Sequence, residues 1–428
     1  MHLIQSIRNW TPKTGIYYGW IVLGVASLGT FASTGSAQVT LAGVQNFILN
    51  DTGWDRGALA IGVTAGTWTA GFLTPLFGRI ADTKGPRVSM PLAAILIGLC
   101  FYFIAGVSSL WQFYVAYIIA RGIGTPVLIS VIPRTVAVNF FLRKRNLALG
   151  LISMARPCFG ALNVQIISFL ALNASWRTAY RFIGIFSIFL AIPLLLLMRR
   201  TPEEIGLLPD GDKPKETLPG EEGLAATEVP EEINWTSSEA LKTRALWLIG
   251  MSQFLIILTL GTMGFQLVPF LNDLGMSLSL AATAWSITSL LDSFSHPFWG
   301  FMSDRHSPRR LIFIALPSAI FATAIFLLID DKSLAFGLVL VWGTVSGGLE
   351  VLGGMLLASY YGRNSYGTIS GIVGPFQIIG LGLGPSLGAL LHKLSSGYDS
   401  LFVFSVAAYI VAAVLIFAAK KPEKSPIH

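Results

Sequence analysis

Twelve stretches of mostly apolar residues, each closed by a charged or Gly/Pro-containing turn, leave this chain few ways to fold. A helix needs about 20 apolar residues to cross roughly 30 Å of hydrocarbon, and inside lipid every backbone amide must find its partner within the protein. Such stretches lie at roughly 17–48, 57–77, 88–107, 110–137, 147–171 and 178–198, and again at 245–271, 277–299, 311–329, 334–358, 367–391 and 400–419. Only 12% of the 428 residues are charged and 53% are hydrophobic, whereas a soluble domain carries about 25% charged residues. The sequence therefore predicts an all-α membrane protein of twelve transmembrane helices.

The formal net charge of +7 does not point to nucleic acid, because the basic residues sit in short clusters between apolar runs and build no continuous face. Membrane orientation accounts for them. If the spans alternate, Arg79, Lys84, Arg87, Arg143, Lys144, Arg145, Arg199, Arg200, Arg305, Arg309, Arg310, Arg363, Lys420 and Lys421 fall on one side, expected to be the cytoplasm. Both termini and the polar, acidic segment 199–242 are expected there too, with the protein in the cell (inner) membrane. Trp54, Trp111 and Trp176 at one boundary and Trp20, Trp247 and Trp299 at the other read as interfacial anchors. Cys100 and Cys158 both fall inside apolar stretches, which supports neither a disulfide framework nor a paired-cysteine metal site. Met1 to Gly15 is polar and lacks the apolar core and cleavage site of a signal peptide, so the first span is expected to stay as a helix.

An internal repeat divides the chain. Gly78, Asp82, Pro86 and Arg87 follow the second span, and Gly300, Asp304, Pro308 and Arg309 follow the eighth, each pair 222 positions apart. Two parallel, pseudo-symmetric six-helix bundles follow, at 1–198 and 243–428, joined by a cytoplasmic linker at 199–242. The loop from Gly78 to Arg87 resembles the signature between helices two and three of the major facilitator superfamily, and nearly the whole chain shares the likeness. The resemblance implies the major facilitator fold, with Gly78, Asp82, Arg87, Gly300, Asp304 and Arg309 in a conformational role: glycine for close helix approach, Asp and Arg pairing or capping helix ends. Tyr17-Tyr18-Gly19-Trp20, Gly53-Trp54-Asp55-Arg56, Asn139-Phe140-Phe141 and Tyr360-Tyr361-Gly362-Arg363 are similar to bacterial monocarboxylate transporters and oxalate:formate antiporters. That likeness implies an anionic organic acid, moved with a proton or exchanged. Where monocarboxylate transporters place Asp and Arg four residues apart on helix eight, this chain has Asp292 and His296; a functional Lys on helix one of animal members falls on Gln38.

A charge at mid-bilayer costs from about 3 to more than 10 kcal/mol, so each one retained is a functional candidate. Five titratable or charged side chains stand out inside the spans: Arg121, Arg156, Asp292, His296 and Glu350. Asp292 and His296 are one helical turn apart and share a face, a plausible proton site. Arg156 precedes Pro157, which loosens its helix, and can either take a carboxylate bidentately or pair with Asp292 or Glu350. Arg121, followed by Gly122 and Gly124, resembles the superfamily's helix-four arginine. Glu350 lies among Gly347, Gly348, Gly353 and Gly354, against a close helix or a cavity.

Substrate binding is accordingly assigned to Arg156, Arg121, Gln38 and His296, and proton coupling to Asp292, His296 and Glu350. There is no phosphate-binding glycine loop, no metal-spaced histidine set and no Ser/His/Asp constellation, so no enzyme, no cofactor and no ATP-driven pump is expected. The expected function is proton-coupled symport of a small organic anion, a monocarboxylate, by alternating access. Alternatives are an anion exchanger of oxalate/formate type, an efflux carrier for amphipathic compounds, and, in a different class, a transport-inactive membrane sensor.

Overall fold

The computed structural model describes residues 15–212, 235–395 and 397–424. The readings of Met1 to Thr14, of the middle of the linker and of the last four residues lie outside them. Among the described residues, twelve long helices run up and down: α1 (Tyr18–Thr52, broken in the middle), α2 (Arg56–Lys84), α3 (Pro86–Ile104), α4 (Leu110–Phe140), α5 (Arg145–Asn173), α6 (Trp176–Leu197), α7 (Arg244–Asp273), α8 (Leu278–Arg305), α9 (Pro308–Ile325), α10 (Lys332–Tyr361), α11 (Tyr366–Ser395) and α12 (Asp399–Ala418). Eleven are long and apolar enough to cross a membrane, and α8 is the exception. Its polarity comes from Thr283, Ser286, Thr288, Ser289 and Ser293, whose hydroxyls return to carbonyls one turn back, and from Asp292 and His296. Such a helix suits a water-lined position between others, and α8 packs against α5 and α10.

Helix ends follow the local chemistry. Asp55 accepts from Gly57 N at 2.8 Å at the start of α2, and Asp331 accepts from Ser333 N and Leu334 N at 2.9 Å at the start of α10. α2 ends at Gly85, whose φ of 74° closes the turn before Pro86 opens α3. The helix thus runs seven residues beyond the expected end at 77, because the signature segment itself is helical up to Lys84.

α1 departs from the continuous span expected at 17–48. It breaks at Gly35–Ala37, between segments Tyr18–Thr34 and Gln38–Thr52. Backbone freed inside a membrane needs protein donors, and they are present. Tyr117 Oη and Arg121 Nη1 both donate to Ser36 O, at 2.8 and 2.7 Å, and Asn163 Nδ2 donates to Phe31 O at 2.8 Å.

Two of the tryptophans expected at membrane interfaces are core residues instead. Trp176 is buried and donates to Asp51 at 3.0 Å; Trp299 is buried and donates to Thr344 O at 3.1 Å. Trp111 and Trp247 are well exposed, as anchors would be.

The two six-helix bundles meet along two seams, α2 against α11 and α5 against α8. We call the end bearing the turns after α2 and α8 the motif face. There the described start of the linker is docked rather than free. Tyr17 Oη donates to Phe140 O at 2.9 Å and to Leu208 O at 3.2 Å, and burial pushes its phenol up, so it stays a donor. Asp210, with φ of 58° and a side chain 5% exposed, accepts from Leu142 N and Arg143 N at 3.1 and 2.8 Å. Glu203 pairs with Arg363 of the second bundle at 2.8 Å.

Candidate functional site

The repeated signature builds two matching clasps on the motif face. Asp82 on α2 reaches across to the first turn of α11, accepting from Gly367 N (3.0 Å), Thr368 N (2.7 Å) and Thr368 Oγ1 (2.6 Å). Asp304 on α8 does the same at α5, accepting from Asn146 N (2.8 Å) and Leu147 N (3.1 Å). Each carboxylate of one bundle thus satisfies the open amides and positive end of a helix in the other. Close approach is needed for this, and glycine supplies it: a Cβ at Gly78 would strike Gly367 O, and one at Gly300 would strike Asn146 O.

The arginines of the signature take a different task from the aspartates. Arg87 Nε donates to Leu195 O at 3.2 Å and Arg309 Nη2 to Phe417 O at 2.8 Å, capping the ends of α6 and α12 within their own bundles. These two acceptors are also 222 positions apart. The motif face is closed further by Arg145 donating to Ala358 O (3.1 Å) and Arg363 to Asn139 O (3.3 Å), both across the bundles.

Deeper in the molecule, the charges inside the spans converge. Arg156 Nη1 on α5 lies 3.5 Å from Glu350 Oε1 on α10. Asp292 and His296 on α8 face each other at 3.6 Å, and Ser346 Oγ of α10 donates to Asp292 Oδ1 at 3.1 Å. The acid and imidazole atoms of Asp292, His296 and Glu350 all fall within 4.8 Å of one another. Counting residues at 1.5 Å rise, the four side chains sit roughly 14 to 20 Å in from the motif face.

Their exposure is graded. His296 is 2% exposed, Asp292 27%, Glu350 20% and Arg156 52%. An arginine half exposed at that depth borders water between the bundles, since lipid would not solvate it. Glycines bring α10 against α8: a Cβ at Gly347 would meet Ser295 and Asp292, and one at Gly348 would meet Trp299.

Two of the residues assigned from sequence lie elsewhere. Arg121 spends its guanidinium within the first bundle, on Ser36 O and on Thr67 Oγ1 at 2.7 Å. Gln38 is exposed at the start of the outer segment of α1, with no hydrogen bond from its side chain among the described residues. One residue was missed. Arg134 on α4, partly buried, is close enough for its charge to bear on Glu350 and His296. It follows a π-helical turn, Thr125–Ser130, in which Val131 N bonds back to Pro126 O and shifts the register of all that follows. Pro126 and Pro133 on either side of an apolar run were the available signal.

Comparison with known proteins agrees with this architecture. The family model for the Major Facilitator Superfamily matches residues 26–377. The chain is 22% identical to the oxalate:formate antiporter of Oxalobacter formigenes, over 100% of its own length and 96% of the relative's. It is 23% identical to the agnestins efflux protein of Paecilomyces divaricatus, over 81% of its length and 74% of the relative's. Among solved structures it resembles the proton:xylose symporter XylE bound to 6-bromo-6-deoxy-D-glucose, with a TM-score of 0.66 at 15% identity, covering 94% and 95% of the two chains. That likeness concerns the fold.

Proposed function

The chain belongs to the Major Facilitator Superfamily, and on that premise we propose that it is a secondary carrier that moves a small organic monoanion together with one proton. The observation that carries this reading is the Arg156–Glu350 pair between the bundles, its guanidinium half exposed, beside Asp292 and His296. A carboxylate arriving from the water-filled space finds a guanidinium held by a single loose contact, and replaces Glu350 with two parallel hydrogen bonds. That exchange adds one negative charge to a site deep in the membrane, where uncompensated charge is costly. A proton on the Asp292–His296 pair restores the balance. Anion and proton therefore bind together, and the loaded site is released on the other side when the two bundles rock about it.

The aspartate clasps and glycine seams at the motif face hold one end of that motion. In this reading they are conformational and make no contact with substrate. The excess of lysine and arginine at the motif face supports a cytoplasmic placement of that face, in the cell membrane.

The deciding experiment is uptake of labelled mono- and dicarboxylates into proteoliposomes, with and without an inward proton gradient, for the natural protein and for Arg156→Ala. Gradient-stimulated uptake that Arg156→Ala abolishes is the expected result. The antiporter relative favours a second reading, anion exchange, in which uptake requires internal anion and ignores the gradient. Absence of any carboxylate transport overturns the anion reading and leaves the efflux alternative.

A further inference from the structure

Resting on that reading, we infer that Arg134 is the second positive charge of the coupling site, and that it receives Glu350 when an incoming carboxylate displaces that side chain from Arg156. Arg134 is a positioning residue in this scheme and never touches the anion.

Three observations lead there. Arg134 is partly buried in α4, yet it makes no hydrogen bond or ion pair among the described residues. A guanidinium held in the membrane without a partner is costly unless another state of the protein supplies one. Its neighbourhood holds the carboxylate that needs a second home: Glu350 lies within reach of its charge, as does His296. Finally, the segment Val131–Phe140 that carries Arg134 packs on α5 and α11, with Thr135 against Gly367, so Arg134 sits between the charge cluster and the closed motif face. By residue count Arg134 is roughly 9 Å from that face and Glu350 roughly 16 Å.

The charges facing Glu350 close the account. They are Arg156 from α5, Arg134 from α4, and Asp292 and His296 from α8. Tyr366 of α11 lies near Arg134 and gives its hydroxyl to Gly354 O of α10, while α7 brings the neutral Gln253 against Gly353. Above neutral pH, with the imidazole neutral and both acids ionised, two arginines balance two carboxylates in the empty carrier. A bound monoanion then calls for one proton. Without Glu350 but with Arg134, the empty site carries one surplus positive charge, and the anion alone neutralises it. Removing Arg134 as well returns the need for a proton.

The test is the pH dependence of half-saturation for labelled formate, lactate and pyruvate in proteoliposomes between pH 7.5 and 9, where all three acids are ionised. One proton taken up with each anion weakens apparent affinity about tenfold per pH unit. The natural protein is expected to show that slope, Glu350→Gln is expected to bind independently of pH, and the Arg134→Gln/Glu350→Gln double variant is expected to regain the slope. Arg134→Gln alone strands Glu350 on Arg156, so affinity falls by about tenfold or more, and adding Glu350→Gln restores it. A merely structural role for Arg134 would not be rescued by removing an acid. If Glu350→Gln keeps the full slope, or if the double variant stays independent of pH, the assignment of Arg134 is overturned while anion transport stands. If the natural protein binds none of the three acids, the proposed function itself falls.

Discussion

At the scale of single residues, the conspicuous charges were legible because an apolar background makes each one stand out. Asp292 and His296 share a face by their spacing alone, and the structure sets them 3.6 Å apart. The pairing of Arg156 with Glu350 was one of several open options, since nothing in a sequence fixes which helices adjoin. Arg121 illustrates the opposite outcome: its likeness to the superfamily's helix-four arginine assigns it to substrate, but the break in α1 creates an orphan carbonyl that claims it. Arg134 was invisible because it lies near the end of its span, where a basic residue ordinarily reaches the headgroups. The separation of tasks between the two ion pairs leads to a test. Asp292→Asn removes the acid that pairs with His296 while leaving Arg156 in place. Counterflow of a labelled monocarboxylate against internal unlabelled acid should persist within a few-fold, and accumulation driven by a proton gradient should vanish. Loss of both activities together would tie Asp292 to anion binding instead.

At the scale of elements, the repeat foretold more than composition could. Matching offsets at Gly78 and Gly300 predict matching helix turns, and the structure gives them matching jobs, with Asp82 and Asp304 each capping a helix of the opposite bundle. What the offsets could not tell is that Arg87 and Arg309 cap α6 and α12 rather than the acids beside them. The break in α1 escaped notice because Gly35, Ser36 and Ala37 are small and scarcely interrupt an apolar run. Asn keeps one acceptor oxygen, and a hydrogen bond to a charged carboxylate is worth about 2 kcal/mol net, so losing one such bond in Asp82→Asn should shift the closed–open balance at the motif face by roughly 30-fold. Labelling of a cysteine introduced at Thr135, which packs against Gly367 in the same seam, should speed up accordingly in a Cys100→Ser/Cys158→Ser background. Arg87→Ala acts inside one bundle, so the labelling rate should stay unchanged while thermal stability drops by about 1 kcal/mol. A rise in labelling with Arg87→Ala would mean that the cap also governs the seam.

At the scale of the whole molecule, the seams α2–α11 and α5–α8 are the surfaces that a rocking carrier must open, and both carry backbone contacts that glycine alone permits. Packed interfaces of this kind have discrete arrangements instead of continuous ones. The closed motif face is held by groups from both bundles and from the linker: Asp82, Asp304, Arg145, Arg363 and Glu203. A restraint across one seam should therefore hold the whole molecule, because neither bundle can turn about the central charges without parting both seams. Asn146 Nδ2 donates to Ser303 O at 2.9 Å, which places these two positions side by side across the α5–α8 seam. In the cysteine-free background, Asn146→Cys combined with Ser303→Cys and a short bifunctional thiol reagent should join the bundles there. Uptake into proteoliposomes should fall to background, and cleavage of a reducible linker should restore it. Binding of a monocarboxylate from the opposite face should survive the cross-link, since Arg156 keeps half of its side chain exposed while the motif face is closed. Full transport in a cross-linked carrier would rule out opening of this seam as a step of the cycle, and with it the role given to Asp304 and Gly300.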